Sequence, residues 1–223
     1  MAGNVRHSGK PVGVLADTNI WLSTVTHECV YSPQTLHWGN SIITVDVATH
    51  RPRRLRNKTQ EESNKVYADL KQVADLVKSR NVTLYESDEV LLEGLNLRHP
   101  TLRGTEFDVF RGITHERARA PMPRTFIIDS TYSPKEARDN WHKILSKIDH
   151  PRFLELKKKM SVKHLADLYH VWEAEHNKLQ FFMTLDVKFV HAVSYPHPLK
   201  SSVKVCTPSE LVRLLCASEA RPR

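Results

Sequence analysis

The sequence predicts an α/β fold with a mainly parallel central sheet. Short apolar, β-branched runs end at acidic or hydroxyl residues, and amphipathic stretches of helical period lie between them. The composition, 40% hydrophobic and 26% charged over 223 residues, supplies one sizeable core. Strands that alternate with helices favour parallel pairing, because a helical crossover returns the chain to the same sheet edge.

The first element is Pro11 to Ala16 (PVGVLA), an apolar run that reads as a buried strand and stops at Asp17. Ser41 to Val47 (SIITVDV) reads as another strand, and the basic RPRRLRNK after it as an exposed loop. Thr59 and Glu62 have capping-box spacing, and Val66, Leu70, Val73 and Val77 follow at helical intervals, so an amphipathic helix starts there. Asn81 to Glu86 (NVTLYE) is a strand, and Ser87 caps a helix through DEVLLEGLNL that carries Glu93.

From His99 to Met122 the pattern is irregular and basic. RTFIIDS then reads as a strand ending at Asp129, and SPKEARDNWHKILSKI as a helix. A late helix starts near Ser161, runs through SVKHLADLYHVWEAEHNK, and leads into the strand LQFFMT, which stops just before Asp186. SVKVCTPSELVRLL supplies a last strand, a Thr-Pro helix start and a closing helix. The whole is expected to be one domain, 1–223, with insertions around 23–80 and 99–161.

Thirty-three Lys and Arg against 25 Asp and Glu give a formal charge of +8, which favours polyanionic partners. Arg51, Arg53, Arg54, Arg56 and Lys58 fall together and are candidates for phosphate contact, with a solvated face as the competing reading. Cys29, Cys206 and Cys216 have neither paired zinc spacing nor an even count. With no apolar stretch long enough for a signal peptide or a membrane span, the chain is expected to be cytoplasmic and free of membrane partners.

Asp17 and Asp186 each follow a strand, Asp167 lies early in a helix, and Glu93 lies on the helix after another strand. Such positions converge at one edge of a parallel sheet. Clustered carboxylates repel one another unless a cation compensates them, and an all-oxygen set selects Mg or Mn over Zn. Taken singly each acid is weak evidence, since most are solvated, cap helices or pair with Lys and Arg.

Their surroundings are more specific. VGVLADTNIWLS resembles the opening of PIN-domain proteins, where a strand runs into D-T-N or D-T-S. VTLYESDEVLLEGL is similar to that family's second block, with Ser87, Glu93 and Gly94 in place and Glu89 as the alternative register. ADLYHVWEAEHNKLQFFMTLDVKFV resembles the late block and brings Asp167, Thr184, Asp186 and Phe189.

The resemblance implies a PIN-like, Rossmann-like α/β/α sandwich with inserted helices. It also implies a Mg- or Mn-dependent ribonuclease acting on single-stranded RNA, with Asp17, Glu93, Asp167 and Asp186 as metal ligands. Thr18, Asn19 and Thr184 would support the site. The alternative is a PIN-fold module without catalysis that binds RNA or a protein, whether an antitoxin-like or regulatory chain or a second copy.

His170, three residues after Asp167, either supports that carboxylate, contacts phosphate or is simply packed. Asp129 ranks below the four acids, because a turn before the next helix accounts for it. Trp21, Trp141, Trp172, Phe181 and Phe182 read as core rather than as base-stacking surface.

Overall fold

The computed structural model describes residues 10–89, 104–122, 134–195 and 198–219. Strand β1 (Val12–Ala16) is the centre of a five-stranded sheet whose other members are β4 (Val82–Glu86), β5 (His115–Arg117), β6 (Phe181–Met183) and β7 (Lys204–Cys206). The order is β5-β4-β1-β6-β7, and every pairing is parallel. All five carboxyl ends therefore share one edge.

A strand buried on both faces reads as a continuous apolar run, which is why VGVLA shows no alternation. Val14 and Ala16 face one cluster, built with Leu70, Val73, Ala74 and Val77 of α2 (Gln60–Lys78) and Leu211 of α7 (Pro208–Glu219). Leu15 faces the opposite cluster, with Leu168, Tyr169, Phe182 and Phe189. Gly13 lets Leu179 pack close to the strand, since a Cβ there would lie 2.8 Å from Leu179 Cδ2 and that side chain would have to shift.

The capping box at Thr59 forms in full: Glu62 N donates to Thr59 Oγ1 at 3.1 Å, and Thr59 N donates to Glu62 Oε2 at 2.6 Å. Helix α5 (Leu165–His176) is buried around most of its circumference, because it lies between the sheet and two further helices, α3 (Pro134–Ser146) and α4 (Pro151–Lys157). Arg152 of α4 holds Glu175 of α5 in a fork, with Nε and Nη2 donating at 2.8 and 2.6 Å.

Four short elements of the core escaped the sequence reading. Helix α1 (Thr18–Leu22) follows β1 directly, β5 lies within the stretch read as irregular, α4 precedes the late helix, and α6 (Val187–Ser194) joins β6 to the last strand. A three-residue strand on a sheet edge has too little length to show a period.

The span 23–80 divides into a protruding part and a core part. A hairpin of β2 (His27–Trp38) and β3 (Ser41–Pro52) is paired over its full length and largely exposed, whereas α2 belongs to the core. Strand β3 runs on to Pro52, so Arg51 belongs to a strand and the basic loop begins at Arg53. The expected strand RTFIIDS, with Asp129, and the helix beyond Glu89, with Glu93 and Gly94, lie outside the described residues. No helix among the described residues is long and apolar enough to cross a membrane.

Candidate metal centre

Chain crossovers run from β1 outward to β4 and β5, then return to the other side at β6 and continue to β7. The direction reverses between β1 and β6, and in open α/β sheets the carboxyl edge at such a reversal is where ligands bind. Asp17 follows β1 there, and Thr184, Leu185 and Asp186 follow β6.

One hydroxyl organises this crevice. Thr184 Oγ1 donates to Asp17 Oδ2 at 2.7 Å and accepts from Asn19 Nδ2 at 3.0 Å and from Asp186 N at 3.0 Å. Asn19 Oδ1 in turn accepts from Leu185 N at 2.9 Å. Asp17 caps α1, its Oδ1 accepting from Thr18 N at 2.7 Å, and Asp186 caps α6 (Val187–Ser194) by accepting from Phe189 N at 3.0 Å. Both carboxylates are thus oriented by backbone donors at helix N-termini, where negative charge is favoured.

Asp167 enters from the first turn of α5, and His164 from the single 3-10 turn before it, Nδ1 lying 3.4 Å from Asp167 Oδ2. His164, Asp167 and Asp186 each present a ligand atom, and these atoms all lie within 4.8 Å of one another. Oxygens on opposite sides of a Mg or Mn ion stand about 4.2 Å apart, so the spread of this set is comparable to that of a coordination shell and these three residues could hold such an ion. Burial, helped by Lys163 and opposed by Asp186, lowers the pKa of His164. A lowered pKa favours the neutral imidazole, the form that can ligate a metal.

A second polar cluster lies at the carboxyl end of β4. Glu86, Ser87 and Glu89 are buried there, as are His170 and Glu173 of α5. Glu86 Oε2 lies 3.3 Å from His115 Nε2, and Glu173 Oε2 lies 3.3 Å from His170 Nδ1. Burial pushes the Glu173 carboxyl up, and the Glu89 charge adds to this, while His170 and Ser87 oppose it.

Of the four acids expected to converge, Asp167 and Asp186 stand together, Asp17 is linked to Asp186 through Thr184, and Glu93 lies outside the described residues. Thr18 and Asn19 are the first two residues of α1, and Asn19 bridges Thr184 and Leu185 N. His170 pairs with Glu173, and its ring stacks on Phe182 with centroids 5.8 Å apart. His164 was not singled out from sequence as a ligand; its signal was only its spacing of three residues before Asp167.

The basic group is divided in its uses. Arg53 Nη1 donates to Leu22 O at 2.8 Å, and its carbonyl accepts from Tyr67 Oη at 2.9 Å, so it braces α1 against α2. Arg51 pairs with Glu28 at 2.7 Å. Arg51 and Arg54 line a cleft of about 610 Å³ with Glu28, Pro52, Thr59 and Gln60, and Arg56 is exposed nearby. Lys58 is half-buried. Trp21, Trp172 and Phe182 are core residues.

Comparison of the chain with protein-family models, with curated proteins and with solved structures finds no match.

Proposed function

We propose that this chain is a PIN-like, divalent-metal-dependent ribonuclease that hydrolyses phosphodiester bonds of single-stranded RNA. The observation that carries this reading is the group His164, Asp167 and Asp186, at the sheet's switch-point crevice and tied to Asp17 through one threonine hydroxyl. A Rossmann-like α/β/α sandwich is consistent with the strand order and with helices on both sheet faces. The preference for RNA follows from the motif resemblance, and the +8 charge agrees with a polyanionic substrate.

The donor set suits a hard cation that accepts one nitrogen, which favours Mn over Mg. When bound, such an ion lowers the pKa of water and offsets charge on the phosphodiester. Asp167 and Asp186 supply the compensating negative charge, and His164 a neutral nitrogen donor. Asp17, held between Thr18 N and Thr184 Oγ1, completes the outer part of the site. In hydrolysis the water gives up a proton as its oxygen bonds to phosphorus, the ester P–O bond breaks, and the departing oxygen takes up a proton, so none is gained or lost overall. No side-chain nucleophile is required.

The test is Mn titration by calorimetry together with cleavage of single-stranded RNA by wild type, Asp17→Asn and Asp167→Asn. The expected result is Mn uptake and cleavage by wild type, with both lost on Asp167→Asn and cleavage lost on Asp17→Asn. Equal cleavage by a clean preparation of both variants would show the site assignment to be wrong. A folded protein that binds RNA in a salt-sensitive way yet takes up no metal would be the non-catalytic RNA-binding module instead.

A further inference from the structure

The hairpin has a composition that the core does not explain. Its strands carry 12 residues each, joined at Gly39-Asn40, with Gly39 at φ 60. Residues directly opposite one another in an antiparallel pair share a face. The register therefore assigns Val30 and Thr49, Ser32 and Val47, Gln34 and Val45, Leu36 and Ile43, and Trp38 and Ser41 to one side. Tyr31 and Ala48, Pro33 and Asp46, Thr35 and Thr44, and His37 and Ile42 take the other.

The first side is an apolar row of Val30, Leu36, Trp38, Ile43, Val45 and Val47. It is open to solvent at its outer end, where Trp38 is 77% exposed and Leu36 and Ile43 are 44% exposed. Among the described residues the globular body meets the hairpin at its base, where the rings of His27 and His50 lie 4.4 and 4.8 Å from that of Phe107 on the other side and Glu28 and Arg51 border a cleft with Thr59 and Gln60 on this one. A two-stranded ribbon on its own is marginally stable in water and needs a third layer or strand to cover its apolar face.

Charge decides what that cover is. Between Val30 and Thr49 the apolar side carries no Asp, Glu, Lys or Arg, and at its base Glu28 and Arg51 neutralise each other at 2.7 Å. A polyanion finds no cation there, and a charged peptide finds no partner. An identical face is fully compatible, because a two-fold contact needs only a patch that complements itself. Strands of this length are about 40 Å long, and two such faces packed about 10 Å apart bury on the order of 1,000 Å², the lower end for a specific interface.

We propose that the hairpin is a dimerisation arm, its Val30–Leu36–Trp38–Ile43–Val45–Val47 face packing against the same face of a second copy of this chain. The arm then gains the layer it lacks, with Trp38 as a large aromatic anchor. This assignment stands on the hairpin alone and is independent of any activity.

Sedimentation velocity over a concentration series tests it on the full chain. Wild type is expected to form a dimer that dissociates on dilution, and Leu36→Lys with Ile43→Lys is expected to be monomeric. Tyr31→Lys with Ile42→Lys changes residues that are 63% and 67% exposed on the other side, and is expected to leave the dimer intact. Trp38→Ser at the tip repeats the test should the first pair disturb folding, which far-ultraviolet circular dichroism reports. A wild type that stays monomeric throughout the series overturns the proposal. So does a dimer that survives both Leu36→Lys with Ile43→Lys and Trp38→Ser, or dissociation to the same extent by the Tyr31 and Ile42 pair.

Discussion

Thr184→Val keeps the shape of a wholly buried side chain and deletes only its hydroxyl, so it isolates the hydrogen bonds that organise the crevice. In wild type that hydroxyl serves three partners: Asp17 Oδ2, Asn19 Nδ2 and Asp186 N. A hydrogen bond to a charged group contributes about 1.5–3 kcal/mol and a neutral one about 1 kcal/mol. Asp17 is buried and loses its partner outright, whereas Asn19 and Asp186 N are only part-buried and recover some hydration. The expected net cost is therefore about 2–4 kcal/mol, and at about 2–4 °C per kcal/mol for a domain of this size the melting temperature falls by roughly 4–16 °C. Thr184→Ser retains the hydroxyl and loses one methyl group, costing about 1 kcal/mol. Thermal unfolding of the metal-free protein, followed by circular dichroism, gives the comparison. If the valine variant melts no lower than the serine variant, the hydroxyl does not organise the crevice and the reasoning fails.

His164→Asn is expected to weaken Mn binding more than Mg binding, because the lost donor is nitrogen; calorimetry with each ion measures the ratio, and equal losses argue against imidazole coordination. The same histidine has a folded pKa below its ordinary value, so it favours unfolding in acid. Its contribution to stability is present above about pH 6.5, the unfolded value, and is lost as pH falls through the folded value. Metal-free melts between pH 5 and 8 should lose part of this slope in His164→Asn. Glu173 has the opposite sign: its raised pKa gives stability that is present below about pH 4.5 and lost as pH rises toward the folded value. Glu173→Gln is therefore expected to raise the melting temperature at pH 8 relative to wild type and to lose that advantage in acid, and a constant offset across pH argues against a carboxyl held neutral. Arg152→Lys keeps a charge but loses the fork to Glu175, so it should lower stability by about 1–3 kcal/mol in urea unfolding, with Arg152→Ala lower still.

Much of the parallel core was legible because its signals are local. The run into Asp17, the capping box at Thr59 and Glu62, the period of α2 and the Thr-Pro start of α7 are each decided within a few residues, and each appears where expected. The hairpin was missed in its first strand for an identifiable reason. His27 to Trp38 holds Pro33, several polar residues and only two β-branched ones, Val30 and Thr35, so it lacks the pattern of a strand, although Gly39-Asn40 just before the β-branched SIITVDV is a hairpin signal. β5 pairs with β4 across 31 positions and His115 meets Glu86 across 29, separations that no local pattern encodes. At the site, the strand-end positions of Asp17 and Asp186 were readable. The role of Thr184 as a three-way hub is tertiary, because two of its partners, Asp17 and Asn19, come from residues more than 160 positions earlier.

The carboxyl edge holds two groups of acids, and their burial suits them to different tasks. Asp167, with its side chain 23% exposed, and the part-exposed Asp186 remain in contact with water, so a cation can shed part of its hydration shell there and still exchange ligands. Glu173 and Glu89 lie at 0% and 3% exposure, and burial raises the Glu173 carboxyl toward its neutral form. A carboxyl that must first ionise in a dry site is a poor ligand, because binding would have to supply both the deprotonation and the desolvation of the ion. A neutral one can instead share a proton with its neighbours and hold α5 against the end of β4. Because α5 carries Asp167 in its first turn and His170 and Glu173 further along, the dry group fixes the helix that delivers a ligand to the wet one. Glu173→Gln, which keeps an uncharged hydrogen-bonding side chain at that position, should accordingly leave Mn affinity close to wild type, whereas Glu173→Ala should weaken it without removing any group that touches the ion. Calorimetric titration of both variants decides the point, and equal affinities for Mn would separate the two groups functionally.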